Sequence, residues 1–158
     1  MARYYWIFSG YLLLAQIFIT VLNLLIDKAS GTFVSSIVMV FAPAMGVVHH
    51  FIRAEERAPT MEEASILCNV SFLLVWFISI VYFVVGLMII VLYYVGIEGL
   101  ILLFQEPIFT LSLMFNVEIT SLFWKILLAV FVFFSLIYYG ILKYCFGSYA
   151  IKQSQKLL

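Results

Sequence analysis

The chain has 158 residues, 66% of them hydrophobic and only 10% charged, with a formal net charge of zero. A soluble domain of this size leaves too much surface in water to hide so many Phe, Leu, Ile and Val side chains, since ordinary soluble composition is about half apolar and a quarter charged. Lipid is therefore the expected solvent for most of the chain, and the neutral balance offers no basic surface for nucleic acid.

A helix crossing the hydrocarbon core needs about 20 apolar residues. Residues 4–26 meet this, opened by Arg3 and closed by Asp27-Lys28. No short apolar core with a small-residue cleavage site follows Arg3, so a retained membrane helix is expected rather than a signal peptide. Ser9, Gln16, Thr20, Asn23 and Asp27 recur at spacings of seven, four, three and four, which places them on one helical face. In lipid such a stripe is expected to hydrogen-bond to other helices, since no ionisable group sits at mid-depth to make it an ion path.

The second span covers about 32–52 with Pro43 inside it, tolerable because neighbouring groups can satisfy the freed carbonyl. Ser35, Ala42 and Gly46 with His49 or His50 predict a face for close backbone approach, and Ser71, Ser79 and Gly86 predict another on the third span. That third span runs from about 66 to 95, longer than a bilayer requires. The fourth covers about 122–146, and its Phe131, Phe133 and Phe134 are expected to face lipid or a partner. Aromatic residues such as Tyr4, Trp6, Tyr93, Tyr94, Trp124 and Tyr138 fall near the predicted interfaces, as a belt does.

The connection 53–65 contains Arg-Ala-Glu-Glu-Arg-Ala-Pro-Thr-Met-Glu-Glu, with six of the sixteen formal charges in eleven residues. Thr60-Met61-Glu62-Glu63 fits a capping box, with the Thr60 hydroxyl accepting from the Glu63 amide and the Glu63 side chain reaching back. Pro59 blocks helical continuation upstream, and the helix dipole favours acids in the first turn. Arg53, Glu56 and Arg57 stand at spacings that allow local pairing. With spans on either side, Arg57, Pro59, Thr60 and Glu63 resemble the Arg-x-Pro-Thr-x-x-Glu signature of a family of small uncharacterised bacterial inner-membrane proteins, over roughly residues 1–90. The resemblance implies a bacterial inner-membrane protein and no mechanism.

Residues 96–121 are too apolar for an ordinary loop and are divided by Gln105-Glu106-Pro107 into two pieces too short to span. A re-entrant or surface-lying segment is expected, since a single crossing would bury Glu106. Arg3, Arg53, Arg57, Lys143, Lys152 and Lys156 then fall on one side, and Lys28 and Lys125 on the other. The positive-inside rule places the larger set, with both termini and the 53–65 loop, in the cytoplasm. There Cys68 and Cys145 are expected to be free thiols.

The expected class is thus all-α: a polytopic membrane protein forming one membrane domain over 1–158, with four transmembrane helices and an interfacial or re-entrant segment between the third and fourth. No nucleophile–base constellation, phosphate loop or dinucleotide fingerprint is visible, so no enzyme activity and no cofactor are expected. His49 and His50 lie near several carboxylates, but adjacent helical residues point about 100° apart, so no metal site is expected either. Glu106, His49 and His50 are the remaining functional candidates. The expected role is binding to another membrane protein, as an accessory subunit or an immunity-type protein, or self-association. The alternative is a small oligomeric transporter or channel component.

Overall fold

A computed structural model describes the backbone of residues 1–26, 32–107 and 121–157, and the side chains of 1–21, 35–107 and 123–156. Among these residues the regular structure is entirely helical: α1 Ala2–Ile26, α2 Thr32–Glu55, α3 Met61–Tyr94, α4 Ile97–Gln105, α5 Ser121–Tyr144, a π-helical turn Cys145–Tyr149, and α6 Ala150–Leu157. Four helices are long and apolar enough to cross a membrane, and the fold is an all-α polytopic one. Helix is the element that hydrocarbon enforces, because each backbone N–H and C=O must bond within its own segment. Asp27, the side chain of Asn23 and residues 108–120 lie outside the described residues.

Two backbone reversals punctuate the chain. Glu56 has φ of 51° and ends α2, while its N–H donates to the Ile52 carbonyl at 2.9 Å. Gly96 has φ of 79°, a conformation that disfavours any Cβ, and it separates α3 from α4. At 1.5 Å per residue the 34 residues of α3 extend roughly 50 Å, well beyond a hydrocarbon core of about 30 Å.

The helices form two compact units, residues 1–78 with 135–158 and residues 79–134. In the first, α1 and α2 are antiparallel. Tyr4, Phe8, Leu12 and Gln16, one i+4 row of α1, are buried, as are Val40, Ala44, Val47, Val48, Phe51 and Ile52 of α2. α3 buries Leu67, Cys68, Ser71, Val75 and Ile78. It runs antiparallel to α5, where Tyr138 meets Trp76 and Tyr139 meets Phe72 edge to face. The chain then passes through the π-turn, where the Ala150 N–H donates to the Cys145 carbonyl, and α6 folds onto α2 with Ala150 and Ser154 buried. The continuation of the last helix past residue 146 was not expected from the sequence. An inserted residue in the turn re-aims the helix and lets a polar tail dock.

In the second unit only Val91, Gly99 and Leu103 are buried among the described residues. Gly99 of α4 sits on Val95 and Val91 so tightly that a Cβ there would come within 2.6 Å of Val95. Residues 124–133 of α5 are exposed without interruption, around nearly three turns.

Several expected packing faces are redistributed. Thr20 donates to the Gln16 backbone carbonyl at 2.9 Å within its own helix, a local bond that competes with any interhelical one. Among the described side chains of the stripe only Gln16 enters the core; Ser9 is half-buried and Thr20 exposed. Ala42 is exposed, and among the described residues no atom lies within 4 Å of a Cβ built on Gly86. Gly46 does mediate a close approach: its Cβ position is 3.0 Å from the Tyr11 ring. Tyr4 and Tyr138 are core residues at 3% and 7% exposure rather than belt residues, whereas Trp6, Tyr93 and Tyr94 stand fully out.

Candidate functional site at the charged end of the first unit

The start of α1, the end of α2, the start of α3 and the end of α5 converge at one end of the first unit, so its charged residues gather there. Three local constructions result.

The first is a clasp between α2 and α3. Arg57 Nη1 and Nη2 lie 2.7 and 2.8 Å from Oε2 and Oε1 of Glu63, a bidentate pair, and Nη1 also donates to the Ala58 carbonyl at 3.2 Å. The Thr60 N–H donates to Glu63 Oε2 at 2.8 Å, and the Glu63 N–H donates to Thr60 Oγ1 at 3.3 Å. Both bonds of the capping box are therefore formed. The Arg57 guanidinium stands 5.5 Å over the Phe51 ring, and Pro59 is buried. Arg57, with help from the Thr60 amide, holds the Glu63 carboxyl down at about 2. Glu63 in return pushes the Arg57 pKa up. Arg57 thus pairs forward across the turn with Glu63, and the left-handed Glu56 interrupts the helix between Arg53 and Arg57. Arg57, Pro59, Thr60 and Glu63 each have a structural task in this turn.

The second ties α1 to α2. Arg3 donates to the Tyr4 hydroxyl at 2.8 Å, and that hydroxyl donates to Glu55 at 2.6 Å, with Arg3 and Glu55 3.8 Å apart. The Tyr4 ring packs against Phe51 and meets His50 edge to face. Arg3, Tyr4 and Glu55 were not singled out from the sequence as a group, because 51 residues separate Tyr4 from Glu55.

The third is a pair of clefts. One, of about 470 Å³, is lined by Tyr11, Met45 and Gly46 and by His49, His50, Arg53 and Tyr149. It brings His49 and His50 together with Arg53, a neighbour visible in the sequence at helical spacing, and with Tyr149 from the π-turn, which was not. The other, of about 380 Å³, lies between α3 and the end of α5, with Cys68, Ser65, Tyr139 and Lys143 in its wall. Cys68 and Cys145 are free and buried. No group of three or more His, Cys, Asp or Glu side chains that could hold a metal ion occurs among the described residues.

Glu106 belongs to the second unit. It is exposed and ends α4, its N–H donating to the Leu102 carbonyl at 2.8 Å. Comparison with protein-family models, curated proteins and solved structures finds no match to the chain.

Proposed function

We propose that this membrane protein works by binding another membrane protein through its spans, as an accessory or immunity-type subunit, without chemistry of its own. The observation that supports this reading is the exposed apolar helix surface of the second unit. A span in a self-contained bundle reserves one stripe for its neighbours, yet α5 exposes every described side chain from Trp124 to Phe133. Apart from Lys125 that surface is aromatic and aliphatic, with Trp124 at 54% and Phe133 at 55% exposure, and suits the packing-driven association of helices in lipid.

The proposed setting is a bacterial inner membrane with both termini cytoplasmic. Support comes from the six Lys and Arg residues assigned to that side, from the convergence of four helix ends in the first unit, and from the resemblance of the 57–63 turn to the Arg-x-Pro-Thr-x-x-Glu family. Photo-crosslinking groups placed at Leu128, Phe131 and Phe133 in cells test the binding role. Discrete protein adducts at these positions, identified by mass and absent from equivalents on Leu73, support it. Lipid adducts alone would remove its basis. Reconstituted protein that by itself moved a solute across liposomes would favour the transporter reading instead.

A further inference from the structure

We propose that the cleft between α1, α2 and the π-turn holds a phosphate group, presented by the headgroup of an anionic lipid. The three arginines at the charged end of the first unit are not equivalent. Arg3 and Arg57 face Glu55 and Glu63 within 4 Å, whereas Arg53 has no carboxylate within that distance among the described residues. Arg53 lines the cleft instead, beside His49, His50 and Tyr149. A guanidinium with two imidazoles and a phenol hydroxyl is a donor set suited to phosphate oxygens.

The polarity of the cleft is graded along α2. Arg53 stands two turns from Met45 and Gly46, roughly 10 Å at 1.5 Å per residue, and His49 and His50 lie between. Gly46 supplies no side chain, so the face of Tyr11 forms the apolar end. A free phosphate ester would use only the charged end, whereas a lipid uses both: headgroup at Arg53, first acyl carbons along Met45 and Tyr11. Basic recesses between membrane helices on the cytoplasmic side recognise headgroups in this way. The two ion-paired constructions flanking the cleft leave Arg53 as the one arginine of that end without a carboxylate within 4 Å among the described residues.

The full-length protein in nanodiscs of equal phosphatidylglycerol and phosphatidylcholine, released and examined by native mass spectrometry, provides the test. Phosphatidylglycerol should be retained preferentially, and Arg53→Gln should reduce that preference about fivefold, the scale of one cation at an anionic surface. His49→Gln should lower it further, while Arg53→Lys retains most of it. Lys152→Gln, an exposed cation outside the cleft, should leave it unchanged. Arg53 is exposed, and thermal melts that match the parent protein show that the variants fold. No headgroup preference, no effect of Arg53→Gln, or an equal effect of Lys152→Gln would each overturn the proposal. Displacement of the lipid by millimolar inorganic phosphate or glycerol phosphate would uphold phosphate recognition and overturn the lipid as its source.

Discussion

The two units of this chain solve the same problem differently. The first packs α1 on α2 through buried rows, docks α6 back onto α2 and neutralises two of its arginines with its own carboxylates. The second buries three described residues and leaves residues 124–133 of α5 exposed. Where the chain is its own partner, contacts are specific and losing one should cost stability. Where lipid or another protein is the partner, the isolated chain should hardly notice a substitution.

The largest expected effect separates the units directly. Phe8→Ala removes a fully buried ring between α1 and α2 and should cost about 2 kcal/mol, mainly the cavity part, since lipid and protein interior solvate a ring alike. Phe133→Ala should stay within about 0.5 kcal/mol of the parent protein. Denaturation in mixed micelles measures both, and equal costs would erase the distinction. Two glycines sharpen it. Gly46→Leu forces atoms into the Tyr11 ring and should lose about 1–2 kcal/mol, whereas Gly86→Leu meets open space and should not destabilise.

A smaller effect is expected at the clasp. Thr60→Ala deletes the acceptor for the Glu63 amide and should cost about 1 kcal/mol, seen as faster amide exchange in the first turn of α3. The smallest is a pH effect. The Glu63 carboxyl sits at about 2 in the folded protein, below its ordinary 4.5, so the folded state binds this proton less readily than the unfolded one. Its contribution is complete above about pH 5 and is lost as pH falls toward about 2. Arg57→Gln should flatten that acid limb of α3 first-turn protection; an unchanged limb would mean that Arg57 does not set the Glu63 carboxyl.

Local signals were legible because they involve neighbours in sequence. The four apolar runs, the capping box at Thr60 and Glu63, and the break near residue 96 are each written within a few residues. The Arg57–Glu63 pair was less so, because a six-residue separation joins two side chains only once the turn has its shape. The row of α1 that packs was not marked in the same way. Tyr4, Phe8, Leu12 and Gln16 are the buried i+4 row, and only Gln16 belongs also to the polar stripe, whose Thr20 hydroxyl donates to the Gln16 carbonyl on the preceding turn. Continuation through Cys145–Tyr149 into α6 carried no strong sequence mark, since a π-turn uses ordinary helix-forming residues.

Sequence alone determined the solvent, the class and the four apolar runs, because hydrophobic run length and capping chemistry are local quantities that the bilayer reads directly. Tertiary structure decided which polar groups meet. Burial of one α1 row against α2 chose Glu55 as the partner of Arg3, and only the path of the π-turn brought Tyr149 to the histidines and Arg53 of α2. Such pairings depend on helix rotation and on a single added residue, which no periodicity in the chain encodes.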